Sequence, residues 1–194
     1  MRKEKIKRMV GIALLMAMVI VLQFVSSSIP PIGGLVSISL VLIPIVMGGA
    51  VFGVQAGLIL GATFGVVVLI NCITGADGGG AMVFQANPAM CAAVVLSKGI
   101  LAGLLSAGTY HALKGKNPYL AMLCAAVVCP VVNTGVFLIS MVLFFGEVLA
   151  VLAGGSNVVG YVLSILILCN FLPELLLNVV FSSAGQRIVN ALKK

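Results

Sequence analysis

Residues 87–113 read NPAMCAAVVLSKGILAGLLSAGTYHAL, and the interpretation of the whole chain starts from this stretch. A helix rises about 1.5 Å per residue, so the stretch exceeds the ~30 Å hydrocarbon thickness of a bilayer. A cation near its middle, Lys98, would cost roughly 2.5–3.5 kcal/mol in lipid, so we expect it to face a partner or a wet cavity. The alternative interpretation is a lysine that snorkels, or that forms a structural pair inside a bundle.

The rest of the chain is equally apolar. Of its 194 residues, 62% are hydrophobic and 8% are charged, and the mean hydropathy is +1.30. These values exclude an ordinary soluble domain. Open sheets cannot satisfy their backbone groups in lipid, and the alternating pattern of a barrel is absent. The sequence therefore predicts one all-α integral membrane domain over residues 1–194.

Several apolar segments are long enough to cross a bilayer, and Gly, Pro, Ser or charged residues separate them. The second segment is the least regular, because Pro44 removes a backbone donor and Gly48 and Gly49 loosen the helix. The sequence predicts six transmembrane helices, at about residues 9–25, 35–52, 56–73, 88–113, 119–145 and 158–181.

Basic residues outside the spans lie in three places, which fall on one side of the membrane if there are six helices. The positive-inside rule then places both termini and the turn at residues 114–118 in the cytoplasm. The connections 26–34, 74–87 and 146–157 contain no Lys or Arg and are predicted to face outward. The basic groups are Arg2, Lys3, Lys5, Lys7 and Arg8 before the first span, Lys114 and Lys116 after the fourth, and Arg187, Lys193 and Lys194 after the sixth.

Small residues recur at a spacing of four along three of the predicted helices. This spacing lets helices approach closely, and in lipid their association depends on such packing. We expect the glycine rows to hold the bundle together, whereas an alanine pair on the first helix could equally contact another membrane protein. The rows are Gly57, Gly61 and Gly65; Gly99 and Gly103; and Ala13 and Ala17.

Few polar residues interrupt the spans, and each needs a partner inside hydrocarbon. Counting along the helices places Lys98, Asn133 and Asn170 at similar depth, which predicts a shared cavity near the middle of the membrane. Asn87 and Asn157 lie in connections that are predicted to face outward, and glycines there are expected to be flexible. Amides, hydroxyls and one lysine around an outer cavity would suit a small polar organic molecule. Glu174 is expected to pair with Lys98 or to cap a neighbouring helix.

Enzyme functions are not indicated by any motif. The chain has a single histidine, and it contains no HExxH, GxSxG or P-loop sequence. Its five cysteines lack CxxC spacing and are predicted to be small buried hydrophobes rather than metal ligands. We expect no cofactor, no metal and no nucleic-acid partner. Without a nucleotide-binding segment, the chain alone cannot use ATP to drive transport.

Four features together resemble the substrate-binding S components of bacterial energy-coupling factor (ECF) transporters. A basic N-terminus leads into a helix with Ala13 and Ala17, and residues 42–53 read LIPIVMGGAVFG before the helix of Gly57 and Gly61. The fourth span contains KGILAG at residues 98–103, and the fourth matching feature is the C-terminal stretch of residues 178–194. The order of these features in six helices carries the resemblance along nearly the full length.

The resemblance implies a subunit of the bacterial cytoplasmic membrane that captures a vitamin from outside. It would associate through its first helix with a transmembrane coupling subunit that two ATPases drive, and Ala13 and Ala17 match the docking motif of the family. The resemblance makes five residues candidate ligand contacts, namely Asn87, Lys98, Asn133, Asn157 and Asn170.

The substrate is less determined than the class of protein. A lone buried cation favours a carboxylate-bearing vitamin such as pantothenate, with riboflavin second. The chain has no tryptophan and its phenylalanines lie mostly within the spans, which gives little indication of an aromatic clamp. Two other classes stay open, a self-sufficient gradient-driven permease and a scaffold without a ligand. Duplicated halves typical of many permeases are not found, and a scaffold would not need polar residues such as Lys98 within its spans.

Overall fold

The structure is a computed structural model that describes residues 2–28, 40–155 and 157–192. Every regular element in these ranges is helical, which confirms the all-α prediction. The helices are α1 (Arg2–Ser28), α2 (Leu42–Phe52), α3 (Val54–Thr74), α4 (Gly78–Ala86), α5 (Pro88–Leu113), α6 (Pro118–Phe144), α7 (Gly146–Leu152), α8 (Val158–Tyr161) and α9 (Leu172–Leu192), with a π-helical segment Val162–Phe171 between the last two.

Five helical stretches are long and apolar enough to cross a membrane, and each contains most of one predicted span. The span predicted at residues 35–52 is not among these five stretches. Its described part contains the short helix α2, and residues 35–39 lie outside the described residues. Eleven residues of helix reach only about 16 Å. The six-helix count and the cytoplasmic termini therefore stay predictions. The five long stretches are Lys3–Ser27, Val54–Thr74, Pro88–Leu113, Pro118–Phe144 and Val158–Ala191.

Two connections that were expected to be loops contain helices. Residues 74–87 include α4, and residues 146–157 include α7. The Asp77 carboxylate accepts a hydrogen bond from the Gly80 backbone N–H at 3.0 Å and so caps α4. This cap places the glycines of residues 78–80 in a helical turn, although they were expected to be flexible points.

The two helices at the centre of the bundle begin in the same way. The Asn87 side chain accepts from the Met90 N–H at 3.0 Å at the start of α5. At the start of α6, Asn117 accepts from the N–H groups of Tyr119 and Leu120. A proline follows each asparagine at the first helical position, where its fixed φ suits the helix and no donor is lost. Each Asn-Pro pair thus sets the start of one spanning helix.

The helices α3 and α5 touch backbone to backbone along their glycines. A Cβ atom added at Gly57 would lie 2.5 Å from the carbonyl oxygen of Gly103, and one added at Gly65 would lie 2.8 Å from that of Val95. Gly61 and Gly99 would each meet the carbonyl oxygen of the other. Because no side chain fits between the two helices, the glycine rows have the packing role predicted for them.

We expect Gly61→Ala to destabilise the protein by about 1–3 kcal/mol, because the new methyl group would force the α3 and α5 backbones apart. Gly108→Ala is the matched control, since it adds the same group in α5 where no atom lies within 4 Å. The control should unfold at the wild-type temperature or slightly above it, because alanine favours helix. Thermal unfolding in detergent, followed by circular dichroism, measures both. Equal midpoints for the two variants would contradict the close contact.

Candidate ligand-binding site

A polar cavity lies between α3, α5, α6 and the last helical stretch, next to α4 at the end of the bundle predicted to face outside. The cavity has a volume of about 90 Å³, which is smaller than the roughly 300–1,000 Å³ of typical sites for small organic ligands, but it shares with them a few convergent polar groups. The polar residues of its wall are Gln23, Asp77, Lys98, Asn133, Thr134, Asn170 and Glu174.

Three of the five candidate ligand contacts lie together in this wall. Lys98 comes from α5, Asn133 from α6 and Asn170 from the π-helical segment. Asn133 is 7% exposed, and its side-chain oxygen has no hydrogen-bond partner in the described part of the chain. Counting residues along the predicted helices placed these three residues at similar depth, and in the structure they share one cavity. Their contact with a ligand stays a prediction.

The other two candidates, Asn87 and Asn157, are not part of the cavity wall. The Asn87 side-chain oxygen caps α5, and that of Asn157 caps α8 by accepting from the Val159 N–H at 3.0 Å. Asparagine is among the preferred residues at helix N-termini, where it satisfies a free backbone donor. The sequence contained this signal, because each of the two asparagines directly precedes the start of a helical segment.

The Lys98 ammonium lies between two aromatic rings. Its Nζ is 5.6 Å from the ring centroid of Phe64 and 5.1 Å from that of Phe137. The quadrupole of an aromatic face attracts a cation, so these rings hold the ammonium in the cavity wall. Phe64, Phe137 and Phe145 all line the cavity. Such aromatic walls were only weakly indicated by the sequence, because a phenylalanine within a span is usually part of the packed interior.

Glu174 is almost completely buried, at 2% exposed, and lines the same cavity as Lys98. The expected ion pair between them is not formed, since within residues 2–28, 40–155 and 157–192 the two groups do not come within 4.0 Å. Glu174 does not cap a neighbouring helix in the described part of the chain either. Its backbone carbonyl accepts a hydrogen bond from the Asn178 side chain one turn further along α9, at 2.9 Å.

The helix type changes where the last helical stretch passes the cavity. The π-helical segment Val162–Phe171 carries Asn170, and α9 begins at Leu172. Pro173 lacks an N–H group and so leaves a carbonyl of the preceding turn without its helical partner. Wider π-helical turns are found often at functional sites. The change of helix type lies next to Pro173, between two residues of the cavity wall, Asn170 and Glu174.

Gln23 is a cavity residue that the sequence reasoning missed. It belongs to α1, is 8% exposed, and has a buried side-chain oxygen without a partner among the described residues. A signal was present, because Gln23 is an amide within the otherwise apolar run of residues 9–25. The first helix therefore contributes to the cavity, in addition to the later helices.

Residues 7–184 match the family described as ECF transporter, substrate-specific component. No curated protein and no solved structure matches the chain significantly. The family match covers most of the chain, including every residue of the cavity wall. Members of this family are transporter subunits. The chain belongs to the family of substrate-specific components of ECF transporters.

Proposed function

We propose that this protein captures a small vitamin from outside the cell and passes it to an ATP-driven import complex. The complex would contain a transmembrane coupling subunit and two ATPase subunits. One observation carries the proposal: in a chain of this family, Lys98, Asn133 and Asn170 line one cavity near the predicted outer face. Polar groups inside a membrane are expensive, so their convergence on one cavity supports a ligand site there.

The substrate that we favour is pantothenate or another small anionic vitamin. The Lys98 ammonium can form a charge-assisted hydrogen bond with a carboxylate, and such bonds are stronger than neutral ones. The amides of Asn133 and Asn170 can bind the remaining polar groups. The phenylalanines of the wall also offer flat apolar surface, which keeps riboflavin as the second candidate.

We propose that α1 is the surface that docks on the coupling subunit. Ala13 and Ala17 are exposed on this helix, and Leu14 and Met18 beside them are 67% and 50% exposed. Two small residues one turn apart leave room for a partner helix to approach closely. Opposite them, Val19 is fully buried against the bundle. The apolar outward side of α1 is thus available to a partner in the membrane.

The alternative, a gradient-driven permease, is favoured by one feature of α9. Four polar residues at a spacing of four are buried along one side of this helix, beginning at the cavity and continuing toward the predicted cytoplasmic end. Rows of buried polar residues of this kind occur along ion and proton pathways in membranes. Several of their polar atoms bond within α9, for example the Ser182 hydroxyl to the Val179 carbonyl at 2.6 Å, which favours a structural role. The four residues are Glu174, Asn178, Ser182 and Gln186.

Binding without transport separates these two functions. We expect the purified protein to bind one vitamin with nanomolar to micromolar affinity, and mass spectrometry of small molecules that remain bound through purification should identify it. Vesicles that contain the protein alone should show no uptake under a proton or sodium gradient, because a substrate-binding subunit needs the coupling subunit and the two ATPases to move the vitamin across the membrane. Empty vesicles are the control. Uptake driven by a gradient would favour the permease and overturn the import subunit.

For Lys98, we expect Lys98→Met to weaken binding of an anionic vitamin by more than roughly tenfold, about 1.4 kcal/mol, because the charge-assisted bond is lost while the apolar stem remains. Lys116→Met is the control, since Lys116 is exposed in the turn between α5 and α6. Equilibrium dialysis with labelled pantothenate gives both affinities. An unchanged affinity of the Lys98 variant would assign this lysine to packing between Phe64 and Phe137.

Replacing both Ala13 and Ala17 with Leu should abolish co-purification with the coupling subunit and leave vitamin binding intact, because the bulky side chains would hold a partner helix away from α1. Ala89 and Ala93 provide a matched control, since they are exposed at the same spacing on α5. Their replacement with Leu should preserve co-purification. Loss of vitamin binding in the α1 variant would instead mean that the alanines serve internal packing.

A further inference from the structure

The cavity wall contains a basic and an acidic side chain that are not in direct contact. Lys98 and Glu174 both line it, and no ion pair joins them within the part of the chain that the structure describes. Lys98 is held by the faces of Phe64 and Phe137. Glu174 is 2% exposed, and among the described residues its hydrogen bond with another side chain, that of Asn178, is accepted by the backbone carbonyl and not by the carboxyl group. Each of the two side chains can therefore contact a ligand in the cavity.

An unpaired buried carboxyl group is energetically unfavourable, because burial removes its water and supplies no donor in exchange. Replacement of Glu174 by an apolar residue would remove that cost, so its presence in the wall requires a compensating contact. The amides of Gln23 and Asn133 line the same cavity but donate no hydrogen bond to this carboxyl group within residues 2–28, 40–155 and 157–192, and each has a side-chain oxygen without a partner there. Among the described residues, the wall therefore has several acceptor oxygens without a donor and one cation, Lys98.

We propose that Glu174 determines specificity by accepting hydrogen bonds from donor groups of the ligand. This inference rests on the proposed function and narrows the class of substrate. The ligand is dipolar: an acidic or carbonyl oxygen contacts Lys98, and hydroxyl, amide N–H or ammonium donors contact Glu174. A ligand that carried a carboxylate and no donor would satisfy Lys98 and leave Glu174 unpaired. Hydroxy acids and amide-bearing acids are accepted, whereas simple carboxylic acids are rejected.

The first test uses the wild-type protein and ligands that differ in their donors. Pantothenate and biotin carry a carboxylate together with hydroxyl or N–H donors, whereas nicotinate and lipoate carry a carboxylate without further donors. Riboflavin with its hydroxyls is compared with lumiflavin, which lacks them. We expect calorimetry or equilibrium dialysis to show that a donor-bearing ligand binds at least tenfold more tightly than its donor-poor counterpart. Tight binding of nicotinate or lipoate, or equal affinity within a matched pair, would overturn the inference.

The second test changes the protein. Glu174→Gln keeps the size of the side chain and replaces one of its two acceptor oxygens with an NH2 donor, so the preference for pantothenate over the analogue that lacks both hydroxyls should fall at least fivefold. Lys98→Met should weaken both of these ligands by a similar factor and leave their ratio unchanged. Glu147→Gln is the control, because Glu147 is exposed on α7 and does not line the cavity. A Glu174 variant that unfolds at the wild-type temperature and keeps the wild-type preference would contradict the inference.

The two proposals fail in different ways. If the wild type binds none of these vitamins and retains no small molecule through purification, the proposed function falls and the inference falls with it. If the wild type binds a vitamin without any preference for ligands with donor groups, the inference alone is wrong. The proposed function as a subunit of an import complex then still holds.

Discussion

The backbone contact between α3 and α5 determines where the polar groups of the cavity lie. Gly99, the residue after Lys98, faces α3, and a Cβ atom there would lie 3.3 Å from the Phe64 ring. Because Gly99 has no side chain, the Phe64 ring can lie against α5 and reach to 5.6 Å from the Lys98 ammonium. The glycine rows thus have two effects. They hold two spanning helices together, and they bring an aromatic face to the cation in the wall.

The other side of the cavity follows from the need to satisfy polar groups in a membrane. Asn133 and Thr134 on α6 are buried, and Asn170 and Glu174 follow one another across the end of the π-helical segment. In hydrocarbon, each of these groups requires a polar neighbour or water. Grouping them around one chamber places them where water or a ligand can meet that requirement, whereas separate positions would each need their own partner. The cavity thus brings these four polar side chains to one interior site.

Features that depend on local sequence were the ones that could be predicted. Length and hydropathy located the five long helices, and glycine spacing indicated that the helices with glycine rows pack closely in the bundle. Features that depend on which side of a helix faces inward could not be predicted in this way. Phe64 and Phe137 are indistinguishable in sequence from lipid-facing phenylalanines, and their position beside Lys98 follows only from the packed bundle. Helix α4 was missed because three consecutive glycines oppose a helix, and the Asp77 cap acts against that tendency.

The first helix contributes both to the cavity wall and to the proposed docking surface. Only 17% of the residues in its most apolar part are buried. The same share holds for the stretch Val158–Ala191, and these two are the least enclosed of the five long stretches. Two of its side-chain contacts to the bundle lie near its ends, Arg8 Nη2 to Gln55 Oε1 at 3.3 Å and Asn71 Nδ2 to Ser27 Oγ at 2.6 Å. Between them, Gln23 lines the cavity while the alanines at positions 13 and 17 are exposed on the outside. Because a helix is stiff over this length, a ligand that contacts Gln23 and a partner that contacts the alanines act on the same rigid body.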